Sequence, residues 1–172
     1  KDQFLMIRDG DGKDRRKLIS QLCNYYEEAG KRDVDHLPKV RPQNVLVLKY
    51  YSFENYFLEP AVMAKIGVIQ SEEEFYNILY AKYKAYLYKV PSMKRMIKVT
   101  GARINSREDL KLHMEAIKIY VRGHNLYDIF YGRYRGDAET EILKKYIDAA
   151  PRETFQDILQ AIDHFVYFQN RR

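Results

Sequence analysis

Two short runs of consecutive apolar residues near the start of the chain predict buried β-strands. The first run covers residues 4–7, and the second covers residues 44–50. Continuous aliphatic and β-branched residues are typical of strands covered on both faces, as in a parallel sheet. Between the runs, apolar residues recur at helical spacing and predict a helix over residues 14–29, with Gly30 as its stop. The pattern therefore predicts a strand–helix–strand unit with parallel strands.

From residue 61 onwards the hydrophobic periodicity is helical. Two helix starts are marked by a serine followed three residues later by an acidic residue, Ser71 with Glu74 and Ser106 with Asp109. Two further helices are predicted over residues 138–149 and along the apolar stripe of residues 155–166. The polar segment from Lys31 to Gln43, which carries two prolines, is expected to be a loop.

The predicted elements indicate an α/β protein that forms one compact unit. Residues 1–60 supply a small parallel sheet, incomplete at its beginning, and residues 61–172 supply a large, mainly helical extension packed on it. No apolar run approaches the roughly 20 residues needed to cross a bilayer, so we expect no membrane partner and a cytoplasmic location. The single cysteine, Cys23, excludes an internal disulfide and a Cys-rich zinc site.

Two aspartates follow the first predicted strand. Asp9 and Asp11 are separated by Gly10 and followed by Gly12, and glycine permits the sharp bends that other residues resist. Side chains at the carboxyl end of a strand in an open α/β sheet face the usual ligand position. Two close carboxylates repel unless a cation joins them, and Mg²⁺ prefers oxygen ligands. The alternative is a solvated Asp-Gly turn.

A third acidic residue follows the second predicted strand. Glu54 lies just past residues 44–50, at the same sheet edge as Asp9 and Asp11 if the strands are parallel. We therefore expect three carboxylates from two strand ends to line one site. Motifs for other chemistries are absent from the sequence, since it contains neither a phosphate loop ending in Gly-Lys-Ser/Thr nor a Gly-x-Ser-x-Gly elbow.

The charge balance permits a nucleic-acid partner. The net charge is +6, and basic residues cluster at the start of the first predicted helix and in a Gly-bounded turn. The candidates for phosphate contact are Lys13, Arg15, Arg16, Arg133 and Arg135. Ordinary solvated charges explain the same pattern.

Two other features have both a functional and a structural interpretation. His124 and Asp128 are four residues apart, so they lie on one helix face and form either an acid–base pair or a plain surface hydrogen bond. The sixteen tyrosines either stack on bases or pack their rings at the edge of the core. Core packing is the favoured interpretation of the tyrosines between residues 76 and 88.

The order of these motifs resembles the TOPRIM domain of overcoming-lysogenization-defect (OLD) family nucleases. The run from Phe4 to Gly12 resembles the strand and Asp-x-Asp motif of that domain, and Glu54-Asn55-Tyr56 resembles the Glu-Asn-Tyr motif after its next strand. The segment Gly123-His124-Asn125-Leu126 and the Arg171-Arg172 end are similar to the carboxyl-terminal part of such proteins. In that family the domain often follows an ABC-type ATPase.

The resemblance implies Mg²⁺- or Mn²⁺-dependent hydrolysis of DNA by a larger, ATPase-linked bacterial protein. Asp9 and Asp11 would hold the metal, and Glu54 would add a ligand or orient a water. Asn55 would fix the local turn, and Lys13 or Arg8 would steady the phosphate. The partners implied are DNA, the upstream ATPase domain and, as an open possibility, a second copy of the chain.

The sequence departs from this family in two respects. TOPRIM domains carry a glutamate after an earlier strand, which this sequence does not contain, so we expect the fragment to be inactive alone. The family also uses a lysine, for which Lys118 is a candidate. Two alternatives stay open: a non-catalytic interaction module, and a haloacid-dehalogenase-type phosphatase with Asp9 as nucleophile. The phosphatase pattern expects Thr or Val where Lys13 stands.

Overall fold

The computed structural model describes residues 4–32 and 39–168 of the chain. Its two strands, β1 (Met6–Arg8) and β2 (Val45–Val47), pair in parallel with Met6 opposite Val45. They are connected through α1 (Arg15–Gly30), so the predicted strand–helix–strand unit with parallel strands is confirmed. Part of the predicted loop, residues 33–38, lies outside the described residues.

The continuous apolar run of β2 reflects burial on both of its faces. Val45 and Val47 pack with Leu18 of α1 in a small hydrophobic cluster. Leu46 and Leu48 point the other way, into the main core of the protein. Alternating side chains therefore serve two different cores, which is why the strand lacks a polar face.

The described chain after β2 is helical. Its α-helices are α2 (Pro60–Lys65), α3 (Glu72–Ala85), α4 (Pro91–Thr100), α5 (Arg107–Leu112), α6 (Met114–Tyr120), α7 (Gly123–Tyr131), α8 (Asp137–Ala149) and α9 (Gln156–Asp163). Short 3₁₀ turns at Phe53–Phe57, Leu87–Lys89 and Arg152–Phe155 and a closing π-helical turn at His164–Phe168 complete it. A further 3₁₀ turn, Pro42–Asn44, directly precedes β2. Within the described ranges, every helix is too short or too polar to cross a membrane.

The predicted helix starts are confirmed, with one difference in capping. At Ser106 both bonds of the capping box form, because its hydroxyl accepts the N–H of Asp109 and the carboxylate of Asp109 accepts the N–H of Ser106. Ser71 likewise accepts the N–H of Glu74, whereas the carboxylate of Glu74 accepts the N–H of Gln70 instead of that of Ser71. The apolar stripe predicted over residues 155–166 is divided among a 3₁₀ turn, α9 and the π-helical turn.

Several tyrosine rings belong to the core, and the hydroxyls of two of them donate to backbone carbonyls. Tyr131 and Tyr146 are fully buried. The Tyr131 hydroxyl donates to the carbonyl of Phe57 at 2.8 Å, and the Tyr146 hydroxyl donates to the carbonyl of Tyr56 at 3.0 Å. These bonds fasten the helical part to the segment that follows β2.

Among the tyrosines between residues 76 and 88, the core interpretation is confirmed for Tyr76, which is buried, and for Tyr80 and Tyr83, which pack against the core. It is wrong for Tyr86 and Tyr88, which are exposed.

Candidate active site

The ends of β1 and β2 border a cavity of about 400 Å³ that we call the carboxylate cavity. Its lining residues are Asp9, Asp11, Tyr51, Ser52, Glu54, Arg122 and His124. The structure thus brings together the three acidic residues that the sequence places after two parallel strands. They come from the β1 end and from the 3₁₀ turn at Phe53–Phe57.

A tight turn holds the two aspartates at the rim of this cavity. The N–H of Asp11 donates to the carbonyl of Tyr51 at 2.9 Å, which ties the turn to the chain leaving β2. A Cβ atom on Gly10 would lie 2.6 Å from the carbonyl oxygen of Tyr50, so this position requires glycine. Asp11 itself has a φ of 51°, a left-handed conformation that aspartate tolerates better than most residues.

Arg95 of α4 fixes the same turn from outside. Its guanidinium donates to the carbonyl of Gly12 at 2.8 Å and to the carbonyl of Asp11 at 3.4 Å. The sequence gives no sign of this role, because Arg95 lies 84 positions from Asp11 in a helix with several other basic residues. It positions the backbone that carries Asp11 and does not line the cavity itself.

Asn55 anchors the turn that carries Glu54. It is fully buried, and its amide nitrogen donates to the carbonyls of Lys118 and Val121, each at 3.0 Å. Its carbonyl oxygen accepts the hydroxyl of Ser52 at 3.0 Å. A Cβ atom on Gly123 would lie 2.1 Å from that oxygen, so the start of α7 must be glycine. The expectation that Asn55 fixes the local turn agrees with these contacts.

The carboxylates in the cavity repel one another. Partial desolvation raises the pKa of Asp9 above its usual value, and the charges of Glu54 and Asp11 raise it further. A backbone hydrogen bond from Phe53 and the charge of Arg8 oppose that rise without cancelling it. Arg8 is the ion-pair partner of Asp11, at a distance of 3.8 Å. The site therefore carries an excess of negative charge.

A cation in the cavity would be held by few protein ligands. Among the residues that the structure describes, no three His, Cys, Asp or Glu side chains lie close enough to form a ready-made cation site. Mg²⁺ is commonly bound through one or two carboxylates, with waters and substrate phosphates as its other ligands. Asp9, Asp11 and Glu54 supply oxygen donors of that kind. The full three-carboxylate ligand set stays a prediction.

Two further residues line the cavity without having been predicted to do so from the sequence. Arg122 and His124 are both exposed and flank Gly123, at the junction of α6 and α7. No hydrogen bond joins His124 to Asp128 among the described side chains; both residues instead line a second cavity that adjoins the first. Their position depends on the Asn55 contacts across the fold, which sequence periodicity cannot reveal.

The predicted phosphate-binding residues are dispersed. The Nε of Arg15 donates to the carbonyl of Val47 at 3.1 Å, and Arg133 donates to the carbonyl of Val68 at 2.8 Å. These two side chains thus bind backbone within the protein. Lys13 and Arg16 are exposed beside α1 but do not line the carboxylate cavity. Arg135 lines the adjoining second cavity.

Lys118 lies away from the carboxylate cavity and is neutralised locally. Its ammonium is 3.4 Å from Glu59, 3.5 Å from Glu115 and 4.7 Å from the ring centre of Tyr50. Burial alone would lower the pKa of Lys118, but Tyr50 and the two glutamates outweigh it and raise the pKa. Its backbone carbonyl, and not its side chain, supports the site through Asn55.

Comparison of the chain with protein-family models, with curated proteins and with solved structures returns no match. The function is therefore argued from the residues and geometry of the carboxylate cavity. Three acidic side chains, one arginine and one histidine line this one cavity.

Proposed function

We propose that the carboxylate cavity is a divalent-cation-dependent site for hydrolysis of the DNA backbone. The observation that carries this proposal is the convergence of Asp9, Asp11 and Glu54 from two parallel strand ends on one cavity. An excess of carboxylates at the edge of a parallel sheet, where ligands of open α/β sheets bind, is an arrangement that a hard cation stabilises.

The cation would supply the electrostatic part of the chemistry. When bound, Mg²⁺ or Mn²⁺ lowers the pKa of a coordinated water and neutralises charge on a phosphate. Asp9, Asp11 and Glu54 would bind the ion through their oxygens. The rigid turns around Gly10 and Asn55 keep these donors in place, so little ordering is required at the moment of binding.

Arg122 and His124 complete the proposed site. Arg122 would contact a phosphate oxygen, because a guanidinium matches the geometry of phosphate. His124 would accept or donate a proton at a phosphate or water oxygen, a role that histidine fills most often among side chains. Both side chains are exposed at the cavity, where a backbone phosphate has access to them.

The finer assignment rests on the resemblance to the TOPRIM domain of OLD-family nucleases. The order strand, Asp-x-Asp, helix, parallel strand and Glu-Asn-Tyr, with the Asn55 contacts beneath Glu54, supports it. We therefore propose DNA as the substrate, a larger protein with an upstream ATPase domain as the natural context, and Mg²⁺ or Mn²⁺ as the cofactor. In that setting the fragment would supply part of the catalytic site.

The test is a calorimetric titration with MnCl₂ at neutral pH. We expect saturable binding to the native chain and its loss in the double variant Asp9→Asn/Asp11→Asn. The matched control is Asp148→Asn/Glu141→Gln, which removes the same charge from two exposed positions of α8 outside the cavity. Equal heats in the native chain and the cavity variant would contradict the proposal.

A second readout separates the proposed activity from its alternatives. The chain, extended upstream to the full protein, is assayed for nicking of supercoiled plasmid with Mn²⁺ and with EDTA. Nicking that requires Mn²⁺ and both aspartates is expected. Hydrolysis of p-nitrophenyl phosphate with a trapped aspartyl-phosphate on Asp9, and no nicking, would instead identify a phosphatase. Neither activity, with no Mn²⁺ binding, would leave the interaction module as the better account.

A further inference from the structure

A second cavity, which we call the aromatic groove, adjoins the carboxylate cavity. Its volume is about 280 Å³, and it shares Glu54 and His124 with its neighbour. Four aromatic rings form much of its wall, those of Phe53, Phe57, Tyr127 and Tyr131. A ligand bound in one cavity would therefore lie directly beside the other.

The rings of the groove come from two elements. Phe53 packs edge-on against Phe57 with ring centres 5.5 Å apart, in the 3₁₀ turn that also carries Glu54. Tyr127 and Tyr131 stack on α7 with ring centres 4.5 Å apart and planes inclined by 12°. Phe53 is 48% exposed and Tyr127 is half-buried, whereas Phe57 and Tyr131 are buried behind them. Phe53 and Tyr127 therefore offer aromatic surface to a flat ligand.

The charges around the groove favour a base over a phosphate. Three carboxylates line it, from Glu54, Asp128 and Glu139, and they repel anions. One oxygen of Glu139 accepts the hydroxyl of Tyr127 at 2.9 Å, and its other oxygen can accept a further donor. Carboxylates accept hydrogen bonds from exocyclic amines of bases, as glutamate and aspartate do from cytosine.

Arg135 lines the groove and has no acidic partner among the described residues. No carboxylate of residues 4–32 or 39–168 lies within 4.0 Å of the Arg135 guanidinium, in contrast to Arg107, which pairs with both Glu73 and Glu108. Arg135 is exposed, so a phosphate at the groove mouth has access to it. The groove thus combines an aromatic wall, amine acceptors and one phosphate-binding side chain.

We propose that the aromatic groove binds one unpaired nucleobase that carries an exocyclic amine, on a strand whose backbone passes the carboxylate cavity. This proposal rests on the proposed function for its choice of polymer and deepens it by naming single-stranded or locally unpaired DNA as the substrate class. The groove is smaller than the roughly 300–1,000 Å³ of a drug-sized pocket, so it suits one base and excludes a duplex.

The test measures binding of fluorescein-labelled oligo(dC) and oligo(dT) of equal length by anisotropy, in EDTA. We expect tighter binding of oligo(dC), because thymine has no exocyclic amine. Phe53→Ala should weaken oligo(dC) binding about fivefold or more, the loss of one stacked base. Glu139→Gln should reduce the preference for oligo(dC) over oligo(dT). The matched control, Tyr88→Ala, removes a ring that is 42% exposed outside the groove and should leave binding unchanged.

The outcomes separate this proposal from the proposed function. Oligonucleotide binding that depends on Phe53, in a chain that does not bind Mn²⁺, would retain the groove and overturn the cation site. If the native chain binds Mn²⁺ but Phe53→Ala and Tyr88→Ala bind oligo(dC) with equal affinity, the cation site would be retained and the groove overturned. No saturable oligonucleotide binding by the native chain would also overturn the groove. Binding that survives Asp9→Asn/Asp11→Asn in EDTA supports the groove as a separate subsite.

Discussion

Two clusters of charged residues border the chain that leaves β2, and their charges are balanced differently. Around Lys118 each charge has a partner, since Lys49 lies 2.6 Å from Glu115 and Lys118 lies 3.4 Å from Glu59. In the carboxylate cavity three acids share one arginine partner, which pairs with Asp11. The first arrangement is balanced within the protein, whereas the second retains an excess of negative charge, which a cation would neutralise under the proposed function.

The pKa shifts of carboxylates in the two clusters have opposite directions. The pKa of Glu115 is lowered: its burial acts in the opposite direction, but Lys49 and Lys118 more than compensate. The pKa of Asp9 is raised by desolvation and by its acidic neighbours. A carboxylate whose pKa is lowered on folding stabilises the fold at neutral pH, whereas a carboxylate whose pKa is raised on folding destabilises it. Charge balance thus separates a structural cluster from a candidate site.

The largest effect is expected where the carboxylate cavity is anchored. Asn55→Ala leaves the buried Val121 carbonyl without this donor and the Ser52 hydroxyl without its acceptor, whereas the Lys118 carbonyl still accepts the N–H of Tyr51. Each unsatisfied group costs about 1–3 kcal/mol. We expect the free energy of unfolding to fall by about 3 kcal/mol, measured by urea denaturation. Asn24→Ala, on the exposed side of α1, is the control and should change it by less than about 0.5 kcal/mol.

Disrupting the ion pairs around Lys118 is expected to lower the free energy of unfolding by a somewhat smaller amount. Lys118→Met removes a buried cation and leaves Glu59 without its ion-pair partner, while Glu115 keeps its ion pair with Lys49. Loss of one partner from a fully buried pair costs about 3–5 kcal/mol; because both glutamates here are partly exposed, we expect about 2 kcal/mol. Lys144→Met on exposed α8 is the comparison. If Lys118→Met were as stable as the native chain, the cluster would have no structural role.

Arg95 sharpens the comparison because it supports the cavity without belonging to it. Arg95→Ala removes two hydrogen bonds to the turn that carries Asp11. We expect a loss of about 1 kcal/mol in the free energy of unfolding and severalfold weaker Mn²⁺ binding in calorimetry. The neighbouring variant Lys98→Ala keeps the turn intact and should change neither quantity. Equal Mn²⁺ affinity in both variants would show that the turn needs no support from α4.

The smallest expected effect has the opposite sign. The pKa of Asp9 is raised above 3.8 in the folded chain, so the contribution of this group is favourable below pH 3.8 and is lost as the pH rises through the folded value. Asp9→Asn should therefore stabilise the protein slightly at pH 7, by up to about 0.5 kcal/mol, and not at pH 3. Thermal unfolding at the two pH values checks this, and destabilisation at pH 7 would contradict it.

The parts of the fold that follow from local pattern could be predicted from the sequence. The parallel pairing of β1 and β2 and the start of α8 were expected from continuous apolar runs and helical spacing. The break between α5 and α6 was not, because residues 107–120 keep one helical periodicity through the turn at His113. Local periodicity does not record where the chain bends.

The candidate site was predictable only in its acidic residues. Asp9, Asp11 and Glu54 follow strands whose carboxyl ends must meet, so their convergence is a consequence of topology. Arg122, His124 and Arg95 reach the site through contacts between distant helices, and no spacing rule links them to the strands. The position of the Lys118 side chain beside Glu59 also depends on packing between distant segments, so no spacing rule predicts it.

The most direct test of the central claim follows the carboxyl ¹³C resonances of the aspartates through a pH titration, with and without saturating Mg²⁺. Without Mg²⁺ we expect a raised pKa for Asp9, and we expect Mg²⁺ to lower it. As the control, addition of Mg²⁺ at neutral pH should leave the carboxyl chemical shift of Asp148 on α8 unchanged. An ordinary pKa for Asp9 that does not respond to Mg²⁺ would contradict the claim that the unbalanced carboxylates form a cation site.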